Sequence, residues 1–100
     1  MPPPLLSAVL DHLVGALAEE SRHTIVITGH TDNAGSVSSR SALSEKRAEA
    51  ARRYLIDKGF DAAALFADGK GGKAPLVSNA TREGRAVNRR VDFLIRPLRP

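Results

Sequence analysis

Two charged side chains have the types and the setting to act on a ligand together. Asp32 lies in the polar, turn-rich stretch Gly29-His30-Thr31-Asp32-Asn33-Ala34-Gly35, directly after the β-branched run His23-Thr24-Ile25-Val26-Ile27-Thr28. A loop past the C-terminal end of a strand is where open α/β sheets gather their ligands. Arg47 belongs to the helical stretch that follows. At about 100° per residue it lies about 40° from Leu43, between Leu43 and Ala51, on the side expected to face the sheet. A guanidinium cannot be fully buried there unpaired without a large penalty. It must meet a carboxylate or open onto a cleft at the helix start. From residue types alone, a plain ion pair to Asp32 or Glu83 is the commoner outcome. A third group is Gly84-Arg85-Ala86-Val87-Asn88-Arg89-Arg90. Two adjacent arginines entering a strand put at least one on its edge. There it either discourages strand-to-strand aggregation or captures a carboxylate with its planar fork.

The elements that hold these residues can be read from spacing. Pro2 to Pro4 predicts an extended lead. Leu6, Val9, Leu10, Leu13, Val14 and Leu17 then recur at the three-and-four spacing of one helix face, with Ser21 and Arg22 as the exit. His23–Thr28 is a strand ended by Gly29. A second helix covers about Ser41 to Lys58, or begins a turn earlier, and Gly59 supplies its stop. Leu65 to Ala67 is a short strand. Thr81 to Asn88 is a short helix with Thr81 as cap and Glu83 in its first turn. Arg90 to Arg96 alternates as the last strand. The class is α+β: a small mixed sheet with helices packed on one face. One domain spans residues 1–100, with residues 1–4 as lead and 97–100 as tail.

Composition narrows the chemistry. The chain has 100 residues, a net charge of +4 and no cysteine, which removes disulfides, thiolate metal sites and cysteine nucleophiles. Three Phe, one Tyr and no Trp are too few rings for a platform that stacks single-stranded nucleic acid. No run approaches the roughly 18–20 consecutive apolar residues of a membrane span. Met1-Pro2-Pro3-Pro4 lacks the basic region of a signal peptide, so work outside the cytoplasm implies a removed targeting segment or a longer parent chain. Gly69, Gly71 and Ala74 satisfy a dinucleotide pattern, but Pro75 denies it the helix it needs, and Gly72-Lys73 lacks the rest of a P-loop. His30 and Asp32 are too few ligands for a closed metal site. His12 and His23 read as surface and strand-edge residues. No cofactor is expected.

Taken together, four segments resemble one family. They are Gly29-His30-Thr31-Asp32-Asn33-Ala34-Gly35; Leu43-Ser44-Glu45-Lys46-Arg47-Ala48-Glu49-Ala50; Gly69-Lys70-Gly71 with Pro75; and Ser78-Asn79-Ala80-Thr81 with Gly84-Arg85-Ala86-Val87-Asn88-Arg89-Arg90-Val91. In this order they are similar to the OmpA-like C-terminal domain, the peptidoglycan-associating module of outer-membrane proteins, lipoproteins and flagellar stator proteins. The resemblance runs from about Ile25 to Ile95. It implies non-covalent binding of the cell-wall stem peptide through its diaminopimelate, in the periplasm or cell envelope, without catalysis. By motif position, Asp32 would receive the diaminopimelate ammonium and Arg47 would grip a carboxylate. Asn33, Leu43, Asn88 and Arg89 would line the groove, and Arg85 would support it. A zwitterionic amino-acid end needs one anion and one cation across a small cleft, and charge-assisted hydrogen bonds are the strong kind. The resemblance shifts the balance from a mere ion pair to a site, although the two groups could pair in the empty protein.

The departures are specific. Ala34 replaces the Thr that often follows Asp-Asn in the family. Arg40 stands where Asn is usual, and Gly72-Lys73 makes its loop more basic. The family's first strand, which precedes the first helix, is missing. Three strands rather than four are therefore expected, with an open sheet edge able to pair with a second copy or to be covered by the proline lead. The competing reading is a basic polyanion or nucleic-acid binder using Arg52, Arg53, Arg82, Arg85, Arg89 and Arg90, but no reading module accompanies that modest charge. An enzyme acting on cell wall lacks a paired carboxylate constellation or a metal set.

Overall fold

Ile25 and Ile27 project from one face of the first strand and are completely buried, which fixes the side of the sheet on which the helices lie. The computed structural model describes residues 4–17 and 23–97. Its elements run α1 (Pro4–Leu17), β1 (His23–Gly29), α2 (Val37–Asp57), a 3-10 turn (Ala62–Ala64), β2 (Leu65–Gly69), α3 (Arg82–Asn88) and β3 (Val91–Pro97). The sheet order is β2-β1-β3. β1 runs parallel to β2, from Ile25 opposite Leu65 to Gly29 opposite Gly69. It runs antiparallel to β3, from His23 opposite Pro97 to Gly29 opposite Val91. A parallel pair requires a crossover, and α2 supplies it.

The core is one cluster of Leu10, Ile25, Ile27, Ala48, Ala51, Leu55 and Leu65, flanked by Leu6, Leu13, Val14, Leu17 and the β3 residues Val91, Phe93 and Ile95. Leu10 comes from the stripe expected for α1, but Val9 is half exposed and lies off it. On α2, Ser44, Ala48, Ala51 and Leu55 form the buried stripe at helical spacing. Small residues there let the helix axis lie low over the sheet. The approach is closest at Gly29 and Gly69. A Cβ on Gly29 would stand 2.1 Å from the Ser44 carbonyl oxygen, and one on Gly69 would stand 2.5 Å from the Glu45 nitrogen.

α2 begins at Val37, four residues before Ser41. Its N-cap is Ser36, whose hydroxyl accepts from the Ser39 N–H at 3.1 Å. Serines compete with helical hydrogen bonding in isolation, so the run from Ser36 to Ser41 reads as loop until the cap is seen. The helix ends as expected at Gly59, whose φ is +101°. Gly59 N–H donates to Ile56 O and Phe60 N–H to Leu55 O, the paired bonds that close a helix onto a left-handed residue. Pro4 is the first residue of α1 rather than part of an extended lead. A proline fits there because the first turn needs no N–H donor. Pro97 likewise closes β3 instead of opening a tail. The remainder of the lead, the exit at Ser21 and Arg22, and residues 98–100 lie outside the described residues. The Ala62–Ala64 turn, capped by Asp61, was not expected.

Candidate functional site

The register brings three loops to one end of the sheet, because Gly29, Gly69 and Val91 stand side by side there. Residues 30–36 leave β1 at this point, residues 70–81 leave β2, and the α3–β3 turn enters. Backbone bonds tie them together. His30 N–H donates to Arg90 O at 2.8 Å, Thr31 N–H to Gly71 O at 2.9 Å, and Lys70 N–H to Gly29 O at 3.0 Å. Ser44, fully buried on α2, accepts from the Gly71 N–H at 2.9 Å and fastens the helix to the same junction.

Asp32 is 8% exposed within this knot. Its Oδ1 accepts from the Ala34 N–H at 3.0 Å, and its Oδ2 accepts from Arg89 Nη1 at 2.8 Å. The Ala34 N–H and then the Arg89 guanidinium lower the Asp32 pKa below its ordinary 3.8. The carboxylate is therefore held ionised. Its partner is Arg89, not Arg47 or another residue of α2. The Arg47 ion pair that residue types alone favour, to Asp32 or Glu83, does not form. Arg47 Nη1 instead stands 3.5 Å from the His30 carbonyl oxygen, at the base of the Asp32 loop. Among the described residues no carboxylate pairs with Arg47.

The other predicted residues divide. Asn33 is exposed beside Asp32 and contributes its carbonyl to Arg40 Nη1 at 3.0 Å. Leu43 is 43% exposed on α2. Arg85 lies on α3 and donates to Asn79 O at 2.9 Å, close enough for its charge to help lower the Asp32 pKa. Asn88 is completely buried. Its Oδ1 accepts from the Leu76 and Val77 N–H groups, and its Nδ2 donates to Val77 O and Asn79 Oδ1. The whole amide is engaged inside the chain. Asn88 therefore shapes the 76–79 segment from behind instead of facing a groove.

One cluster escaped the sequence reading. His30 is buried, and its Nε2 lies 3.0 Å from Asp92 Oδ2. Arg90 grips Asp92 Oδ1 with Nε at 3.0 Å and Ala74 O with Nη2 at 3.1 Å. The available signal was the spacing of Arg90 and Asp92, which share a strand face at i and i+2. Burial first, and then Arg90, push the His30 pKa below 6.5, against a smaller opposing pull from Asp92. The unfolded chain therefore takes up a proton at this position before the folded chain does. The stability that neutral His30 contributes is complete above about pH 6.5 and is lost as pH falls through its lowered native value. Asp32 acts in the same direction in more acid solution. Its contribution is complete above 3.8 and disappears as pH falls through its own lowered value. Urea midpoints should thus fall between about pH 7 and 5, and His30→Gln should flatten that part of the curve. An unchanged midpoint over that span would contradict the assignment.

The OmpA family model matches residues 4–89. Outer membrane protein A of Bordetella avium is 40% identical over 87 residues, covering 83% of this chain and 45% of that protein. Peptidoglycan-binding protein ArfA of Mycobacterium tuberculosis is 41% identical over 71 residues, covering 71% of this chain and 22% of that protein. The chain thus spans less than half the length of these relatives. The crystal structure of the peptidoglycan-associated lipoprotein from Burkholderia pseudomallei superimposes with a TM-score of 0.85 at 31% identity, covering 94% of this chain and 80% of that one. The loop motif, the low-lying helix and the α3–β3 turn therefore assemble a known scaffold, and the chain belongs to the OmpA family.

Proposed function

We propose that this domain holds peptidoglycan without covalent chemistry, through the diaminopimelate of the stem peptide, and so anchors a cell-envelope protein to the wall. The observation that carries the reading is an uneven pair. Asp32 is ionised and secured, while Arg47, beside the same loop, has no carboxylate of its own. A ligand with an ammonium and a carboxylate on one carbon complements that arrangement. Asp32 receives the ammonium, Arg47 grips the carboxylate, and Arg89 steadies Asp32 from the far side. Asn33 and Leu43 border the ligand, Arg85 adds positive field, and Asn88 supports the adjoining loop. The names of ArfA and the peptidoglycan-associated lipoprotein are consistent with this reading. Among the described residues no helix is long and apolar enough to cross a membrane.

Co-sedimentation with purified sacculi tests the proposal. The domain should pellet with diaminopimelate-type sacculi and much less with lysine-type sacculi, which lack the second zwitterionic end. Equal pelleting with both would remove the diaminopimelate assignment. The polyanion reading draws less support. Arg52 is committed to Leu65 O and Ala62 O, Arg85 to Asn79 O, Arg89 to Asp32 and Arg90 to Asp92. Arg53 forms a 3.8 Å ion pair with Glu49, so of the six arginines only Arg82 is without a side-chain bond among the described residues.

β3 pairs with β1 alone, and its other edge is open among the described residues. That edge suits antiparallel pairing with a second copy of the domain. Light scattering after size exclusion should then give a dimer mass. A monomer at all concentrations would remove the pairing.

A further inference from the structure

Arg40 and the Gly72-Lys73 insertion of charge come from separate parts of the sequence, yet they meet at one hollow. It has a volume of about 130 Å3 and lies between the first two turns of α2 and the loop after β2. Arg40, Lys70 and Lys73 line it together with the Gly71-Gly72 backbone, and no acidic residue does. None of the three cations forms an ion pair among the described residues. Like charges brought together without a counter-charge repel, and the cleft they border focuses a positive potential on its interior.

Arg40 is already ordered. Its Nη1 donates to the carbonyls of Asn33 and Gly35, which leaves Nε and Nη2 without a hydrogen-bond partner among the described residues. A planar guanidinium fixed in this way suits an oxyanion. Gly72 permits the arrangement. A side chain there would stand 2.7 Å from Asp32 O and 3.2 Å from Arg40 Nε. The same contacts show that the hollow abuts the loop that carries Asp32.

We propose that this hollow is a second subsite, for an oxyanion of the wall polymer, next to the position that clasps the zwitterionic end. The inference rests on the wall-binding reading for its ligand, and the oxyanion is a carboxylate carried by the stem peptide. Two probes are used: a soluble disaccharide-tetrapeptide from diaminopimelate-type wall, and inorganic phosphate as the test for non-specific anion binding. Amide shifts of residues 70–73 report on the hollow, and those of residues 30–34 report on the Asp32 loop.

The double variant Lys70→Ala/Lys73→Ala should bind the muropeptide about fivefold more weakly, with a shallower salt dependence and unchanged melting. That result assigns the subsite to a peptide carboxylate. Unchanged muropeptide affinity, with phosphate still shifting residues 70–73 of the wild type, means an adventitious ion only and overturns the subsite. Arg47→Ala separates this inference from the one it rests on. If Arg47→Ala still binds muropeptide as the wild type does, the zwitterion clasp fails, while weaker muropeptide binding by the double variant still supports the hollow. Unchanged muropeptide binding by the double variant, together with no phosphate shift in the wild type, overturns the subsite.

Discussion

Arg47→Ala is expected to leave the domain folded and to weaken its retention on diaminopimelate-type sacculi by about 30-fold or more. Removing one partner of a desolvated charge pair at an interface costs about 2–5 kcal/mol, and each 1.4 kcal/mol is about tenfold. Arg47 is suited to the test because the folded chain uses it so little. Among the described residues its one polar contact is the 3.5 Å approach to the His30 carbonyl. The melting temperature should therefore stay close to that of the wild type while pelleting is lost. Arg47→Lys keeps the charge but not the fork, so it should recover only part of the retention. Asp32→Ala should also abolish pelleting, but it is the less clean experiment. It frees the Ala34 N–H and leaves Arg89 without a carboxylate, so both binding and stability should fall. Wild-type pelleting by Arg47→Ala would end the proposed role of that residue.

The largest stability effect is expected at Gly29. A methyl group there would meet the Ser44 carbonyl oxygen at 2.1 Å and its carbon at 2.9 Å. Both are backbone atoms, so no flexible side chain can yield. Overpacking costs about 1–3 kcal/mol where side chains adjust, and more where they cannot. Gly29→Ala should therefore cost at least about 3 kcal/mol and lower the melting temperature by more than about 12 °C. Gly15 supplies the contrast, since a methyl group added there meets nothing within 4 Å. Gly15→Ala should be neutral or stabilising by up to about 1 kcal/mol, as expected for a helix interior. Thermal melts followed by circular dichroism compare the two, and equal melting would remove the close approach of α2 as the cause.

The elements were legible wherever a local rule sets them. The leucine spacing of α1, the β-branched run of β1, the Thr81 cap and the Gly59 stop depend on residues a few positions apart. The start of α2 was hidden because four serines between Ser36 and Ser41 favour loop and cap alike. The candidate residues could be named from the sequence, but their partnerships could not. Asp32 and Arg89 are 57 residues apart, and only the antiparallel register of β3 against β1 brings the α3–β3 turn to the Asp32 loop. Asn88 shows the same limit in reverse. Its residue type suits a ligand contact, but its complete burial turns the amide toward Leu76, Val77 and Asn79. Arg40 and Lys73 stood out only as departures from the resemblance, and no local rule places them at one hollow.

The stitching of the three loops bears on how the domain would carry load if it anchors a protein to the wall as proposed. His30, Thr31 and Lys70 cross-link segments that are distant along the chain, and Ser44 clamps the helix to the same junction. Under the wall-binding proposal, tension on the Asp32 loop would reach the helix and both neighbouring loops through these links, and the ligand contact is expected to release before the sheet opens.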